Sequence, residues 1–381
     1  MRVCLVYDCL YPHTVGGAER WYRNLGERLA AEGHEVTYLT LRQWRRGVDP
    51  GVPGVRVVTA GPRMKLYAPG GRRRILPPLV FGIGVLAHLL LRGRRYDVVH
   101  TASFPYFSML AAAVARRPGG YRLVADWHEL WTREYWDEYL GRLGLPGWLV
   151  QRACVRVRHR AFCFSRLHAA RLRAEGFRGE VEVLPGQFVE PRGGVAPGEP
   201  ERQPLVVFAG RHIPEKRVPA LVPAVVRARE RLPELRCVIF GDGPEREDVL
   251  AAVASHGLSG MVDVPGFVEG SRVERALGKA LCMVLPSRRE GYGLVVLEAA
   301  ARGTPSVVVA DPDNAAVELV SDGENGVIAC SATPEDLSAA IVRVHSGGAA
   351  LRASTLAWFE TNRARVSLEG SLAAVAERYG A

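Results

Sequence analysis

The chain has 381 residues, 50 Lys and Arg against 40 Asp and Glu, a net charge of +10 and a hydrophobic fraction of 48%. That length and composition exclude an intrinsically disordered chain and a disulfide-stapled miniprotein, and they suit two globular domains. The charge is uneven: residues 1–200 hold 30 basic and 17 acidic side chains (+13), whereas residues 201–381 hold 20 and 23 (−3).

In chain order, "RVCLVY" at the start reads as a buried strand, and a chain opening directly on a strand is expected to lack a secretory signal and to be cytoplasmic. "GGAERWYRNLGERLAAEGH" follows, with Ala18, Trp21, Leu25 and Leu29 on one helical face and Gly33 as a stop. "EVTYLTL", "YDVVHT", "YRLVAD" and "AFCFS" read as further strands with helical sequence between them. Residues 186–204, rich in Gly, Pro and charge, predict an interdomain linker. The alternation then restarts with "LVVFAG", "LRCVIFG", "VDVPGF", "LCMVLPS" and "PSVVVA". Strand–helix alternation predicts parallel sheets with helices on both faces. The expected fold is therefore α/β, two doubly wound Rossmann-like domains facing across a cleft at the carboxyl ends of their strands. The expected bounds are 1–190, 191–365, and a terminal helix 366–381 packing back on the N-terminal domain. The seven cysteines are scattered without metal-ligand spacing, which predicts reduced core thiols.

Chemistry concentrates where strands end. In "FAGRHIPEKR", Arg211 follows a strand and Lys216 opens the next helical stretch, a pair suited to a diphosphate, although two solvated cations would read the same. In "IFGDGPERE", Gly241 and Gly243 let backbone approach a ligand, or simply make a tight turn. "VPGFVEG" offers backbone groups to a planar base. In "EGYGLVVLE", Glu290 is expected in a loop and Glu298 one turn inside the following helix, with glycines baring the helix's first amides. A carboxylate accepts hydrogen bonds from two vicinal hydroxyls, as a ribose presents. The turn at Asp311-Pro312-Asp313 is not read as a metal site.

"GGAE" (16–19), "DWHELW" (126–131), "GRHIPEK" (210–216), "GDGPE" (241–245), "PGFV" (265–268) and "EGYGLVVLE" (290–298) together resemble glycosyltransferase family 4, retaining enzymes of the GT-B fold. The resemblance implies a sugar transfer from a UDP- or GDP-linked donor to a hydroxyl of a glycan, lipid-linked or small-molecule acceptor. It implies that Arg211 and Lys216 hold the diphosphate, that Glu298 binds the ribose, and that Glu290 approaches the sugar. Further donor contacts are implied for Gly16, Gly17, Gly210, Gly241, Gly243, Phe267, Val268, Gly291, Tyr292, Gly293 and Leu294. His128 would lie near the sugar with Asp126 close by; where the family motif usually has His-Asp, this chain reads His-Glu. Neither cofactor nor metal is implied.

Residues 72–95 place seventeen uncharged positions between arginine clusters, within a stretch from Asp49 to Asp97 that holds no acid between its ends. This predicts either a buried helix with a basic rim or, over 63–95, a surface resting on anionic membrane lipid. Two alternatives from other classes are a sugar-nucleotide epimerase and a basic non-enzymatic binder of nucleic acid or membrane. The first needs acid–base residues beyond His128, and the second lacks aromatics interleaved with its arginines, so no specific nucleic acid is expected. A dehydrogenase would need a dinucleotide fingerprint that neither half carries.

Overall fold

The computed structural model describes residues 1–381 apart from 46, 68–72, 191–200, 202 and 381. Arg72 and most of the expected linker therefore lie outside the described residues. Contacts divide the chain into two units, Met1–Pro185 with Ser371–Ala381, and Gly186–Gly370.

The first unit is built on strands β1 (Arg2–Val6), β2 (Glu35–Thr40), β3 (Val55–Thr59), β4 (Val98–Ala102), β5 (Arg122–Trp127), β6 (Arg160–Cys163) and β7 (Val181–Val183). They form a parallel sheet in the order β3-β2-β1-β4-β5-β6-β7. Its central strands are buried because helices cover both faces; "VCLV" of β1 is fully buried and apolar, while β4 and β5 include the buried polar residues His100 and Asp126. The helix Gly17–Ala31 buries Trp21, Tyr22, Leu25 and Leu29 as its periodicity requires, and Glu19 is buried with them. Side-chain caps start two later helices, Thr132 accepting from the Tyr135 N–H and Ser165 from the His168 N–H.

The C-terminal helix Leu368–Gly380 returns part of the chain to this unit. Buried Tyr379 is hydrogen-bonded to His100 Nδ1, and His100 Nε2 lies 2.8 Å from Asp126 Oδ1. Trp21 Nε1 donates to the other Asp126 oxygen at 2.7 Å. All four side chains are buried, so the network satisfies groups that would be costly if left unpaired.

The second unit holds β8 (Leu205–Ala209), β9 (Arg236–Phe240), β10 (Val262–Gly266), β11 (Cys282–Leu285), β12 (Arg289–Glu290), β13 (Ser306–Val309), β14 (Asp313–Asn314) and β15 (Gly326–Ala329). Six of them form a parallel sheet in the order β10-β9-β8-β11-β13-β15, and β12 pairs separately with β14. The long helical stretch Pro334–Val366 breaks at Gly348. Six cysteines are buried as expected, whereas Cys330 is exposed.

The helix Leu76–Arg92 resolves its two sequence readings by having two faces. Pro77, Pro78, Phe81, Val85 and Leu89 are buried, largely against the helix Tyr106–Gly119. Leu76, Ile83 and Leu91 are 60%, 69% and 84% exposed. By length and composition alone it could cross a membrane, but its packed face belongs to the domain.

Candidate functional site

In a doubly wound sheet, the loops leaving two strands where the order reverses part from each other and open a crevice to ligands. In the second unit that point lies between β8 and β11. The loop after β8 carries Gly210, Arg211 and Lys216; the loop after β11 carries Ser287 and Glu290. Lys216 Nζ donates to Glu290 Oε1, joining side chains 74 positions apart, and Ser287 Oγ donates to the same oxygen at 2.7 Å. Backbone ties these loops as well, the Arg288 N–H donating to the Glu215 carbonyl at 2.8 Å.

Glu290 does not lie in an open loop as expected. It is buried, and β12 carries it in a two-residue parallel pairing, Glu290 opposite Asn314. The Asn314 amide donates to the Val309 and Ser287 carbonyls at 2.9 and 3.2 Å, which fixes the segment that presents Glu290. The turn at Asp311 is closed by the Asn314 N–H on the Asp311 carbonyl at 2.9 Å, and the Asp311 carboxylate faces Arg217 at 3.3 Å. Arg211 is exposed, and its guanidinium makes no hydrogen bond or ion pair among the described residues. The cation pair therefore separates into one engaged member and one open to solvent.

The glycines after β9 have a packing reason of their own. A Cβ on Gly241, whose φ is +118°, would stand 1.8 Å from the Gly210 carbonyl oxygen. Gly243 lies next in that loop, against His212, and the Gly241 N–H reaches the Gly266 carbonyl at 2.9 Å. Three loop starts are thus brought side by side. Phe267, after β10, is 78% exposed, with Val268 half-buried beside it. Gly291 is half-buried and Tyr292 buried, which raises the Tyr292 phenol pKa. Gly293, at φ +95°, caps the helix Leu294–Ala300, which carries Leu294 at its start and half-buried Glu298.

The remaining expected residues lie in the first unit. Gly16 precedes the helix Gly17–Ala31 and Gly17 opens it, with no side-chain cap at that end. His128 follows β5 and stacks on Phe164, ring centres 4.4 Å apart. Its Nε2 is buried without a hydrogen-bond partner among the described residues. Burial lowers the His128 pKa against the opposing pull of Asp126 and Glu129, so the ring is held neutral. Asp126 is committed to Trp21 and His100 and is a structural carboxylate. Burial alone would raise its pKa; the hydrogen-bonded His100 beside it holds it below the ordinary value.

Sequence reading overlooked Ser287, Asn314, Asp8 and the position of Arg73. Ser287 stands three residues before Glu290 at a strand end, which was a usable signal. Arg73, expected in a basic cluster that either rims a buried helix or faces anionic lipid, instead donates to buried Asp8, and its side chain is 9% exposed.

Two parallel doubly wound sheets of this order are the frame of the GT-B class of sugar transferases, and the solved structures below share it. The family described as "Glycosyltransferase Family 4" matches residues 15–186, and that described as "Glycosyl transferases group 1" matches residues 195–354. The chain belongs to glycosyltransferase family 4 and is a glycosyltransferase. It is 26% identical to the glycogen synthase of Mycobacterium tuberculosis, over 91% of this chain and 86% of that enzyme. It is 30% identical to the alpha-D-kanosaminyltransferase of Streptomyces kanamyceticus, over 37% of this chain and 36% of that enzyme. Among solved structures, sucrose-phosphate synthase from Thermosynechococcus elongatus superposes with a TM-score of 0.79 at 19% identity, covering 99% and 98% of the two chains. Anabaena HepE, solved with UDP-glucose, gives 0.73 at 16% identity, covering 100% and 99%.

The histidines make stability depend on pH. His159 Nε2 accepts from Trp127 Nε1 at 3.0 Å and its Nδ1 lies 2.7 Å from the Val157 carbonyl, an arrangement that needs a neutral ring. Burial lowers its pKa from 6.5 to about 4. Between those values the unfolded chain binds the extra proton, so stability is full above 6.5 and is lost as pH falls toward 4. Urea unfolding from pH 7 to pH 4 should show that decline, with a shallower slope in His159→Phe; equal slopes would refute the assignment.

Proposed function

We propose that the chain transfers a sugar from a UDP- or GDP-linked donor to an acceptor hydroxyl with retention of anomeric configuration. The observation that carries this reading is the joining of Lys216 and Glu290 at the strand-order reversal, beside a solvent-open Arg211. The solved relative that holds UDP-glucose supports the donor class.

The donor diphosphate meets Arg211 and Lys216. An ammonium has three donors, so Lys216 keeps two for phosphate oxygens while bound to Glu290. The exposed Phe267 and neighbouring Val268 lie where a base can be covered, Glu298 takes the ribose hydroxyls, and Glu290 faces the sugar. In the transfer, the bond from the anomeric carbon to the phosphate oxygen breaks and one to the acceptor oxygen forms on the same face. The hydroxyl proton passes to the departing phosphate. The protein's part is positioning and stabilisation of the leaving charge, which the two cations supply without a metal.

The exposed apolar face of Leu76–Arg92, with Arg74 before it and Arg94 and Arg95 after it, supports a second feature of this reading. That face rests on an anionic bilayer, the enzyme working at the cytoplasmic side. Cosedimentation with phosphatidylglycerol vesicles should fall in Ile83→Glu; unchanged binding would remove the membrane from the account.

Arg211 gives the cleaner test of catalysis because removing it leaves no buried partner stranded. With a panel of UDP- and GDP-sugars, Arg211→Ala should lower turnover by about 10²–10³-fold without loss of stability. The anomeric proton coupling of the product should match the donor's. Near-normal turnover in the variant, or an inverted product, would sink the mechanism.

A further inference from the structure

Arg217 is the one non-glycine residue among those described whose φ is positive, +49°. It follows Lys216 directly and stands between two 3₁₀ turns, Pro214–Lys216 and Val218–Ala220. Its N–H donates to the Pro214 carbonyl at 3.2 Å, and its own carbonyl accepts from the Ala220 N–H at 3.0 Å. The left-handed backbone joins the two turns, and glycine would adopt it without the crowding that a Cβ brings. An arginine held in that conformation beside a site lysine marks a side chain with a task of its own.

That side chain completes a row of charge contacts. Three successive residues of the loop after β8 each face an opposite charge on β12 or on the turn before β14. Glu215 Oε1 lies 3.8 Å from an Arg289 nitrogen, Lys216 donates to Glu290, and an Arg217 nitrogen lies 3.3 Å from Asp311 Oδ2. β12 consists of Arg289 and Glu290, and β14 begins two residues after Asp311. Register sets Arg289 opposite Asp313 and Glu290 opposite Asn314. Neighbouring residues of one loop thus grip both sides of the small pairing that presents Glu290. Arg217 and Asp311 are half-buried, so their attraction is screened less than that of a pair in open solvent.

We propose that Arg217 is a positioning residue for Lys216: its pairing with Asp311 sets where the loop after β8 meets β12 and β14, and so holds the Lys216 ammonium against Glu290. The proposal rests on the sugar-transfer reading for its consequence in catalysis, but not for the placement of Lys216. Lysine is a point charge on a flexible stem, so its direction depends on the backbone beneath it and the partners around it. Arg217 fixes that backbone on one side, and on the other the Glu215 carbonyl accepts from the Arg288 N–H at 2.8 Å. A leaving phosphate gains charge only as its bond to the sugar breaks, so a misplaced ammonium costs more in the transition state than in the bound donor. The charge of Arg217 is committed to Asp311, whereas that of Arg211 is open to a ligand.

The chain has three lysines, Lys65, Lys216 and Lys279, so the acylation of each by trace acetic anhydride can be followed by mass spectrometry on the folded full chain. Arg217→Gly keeps the left-handed backbone and removes the charge. Asp311→Asn keeps the oxygen that accepts from the Asp313 N–H at 3.4 Å and likewise removes the charge. The unfolding midpoint of Arg217→Gly should equal or exceed that of the wild type, because the backbone crowding is relieved. In both variants Lys216 should be acylated about threefold faster relative to Lys279. With UDP- and GDP-sugars, both should lose roughly tenfold in kcat with KM nearly unchanged. An unchanged acylation ratio in both variants would overturn the proposal. So would an effect of Arg217→Gly that Asp311→Asn does not reproduce, since Arg217 would then act on the donor itself. Nucleotide binding is measured on the same samples: a loosened Lys216 in a chain that binds no nucleotide contradicts the donor reading alone, and nucleotide binding with Lys216 unmoved contradicts the role of Arg217 alone.

Discussion

The ion pair between Lys216 and Glu290 is the contact on which the candidate site depends. Glu290 is buried, and an ionised carboxylate away from water needs both a counter-charge and hydrogen bonds. Lys216 and Ser287 supply them from two loops that diverge around the strand-order reversal. The short pairing of β12 with β14, braced by Asn314, keeps Glu290 where those partners can reach it. Arg211 is left free of any comparable tie, and that asymmetry gives one anchored cation and one available to a ligand.

The first unit uses buried polarity differently. Asp126 is saturated by Trp21 and His100, and His100 passes the connection to Tyr379 of the terminal helix. The neighbouring His128 remains neutral with an unused ring nitrogen. One motif thus contributes a structural anchor and an open polar atom two residues apart. Asp8 and Arg73 show that a polar group at this sheet's own reversal came from a stretch whose composition left a buried helix and a lipid-facing surface both open.

Most of the parallel architecture was legible because buried strands are short apolar runs between amphipathic helices. The strands that escaped notice had weaker signals: β3 is only partly buried and includes Arg56, β7 has three residues, β15 is a four-residue run beginning with glycine, and β12 and β14 have two residues each. The spacing of Glu290 and Glu298 could be read because both lie in one stretch. Their setting could not, since the Lys216 bond and the Asn314 pairing join distant parts of the chain. Gly241 carries the opposite lesson: a residue that suggested ligand approach has a sufficient cause in the carbonyl of Gly210. The pairing of Asp8 with Arg73 spans 65 positions, and nothing local announces it.

The most direct measurement is thermal unfolding of the wild type and Glu298→Ala with UDP, GDP or ADP in metal-free buffer. A nucleotide present at about 100 times its dissociation constant stabilises the unit that binds it by about 2.7 kcal/mol. The account predicts such a shift with UDP or GDP and a much smaller one in Glu298→Ala. No shift with any nucleotide in the folded wild type, or an equal shift in the variant, would contradict a donor site at the crevice between β8 and β11.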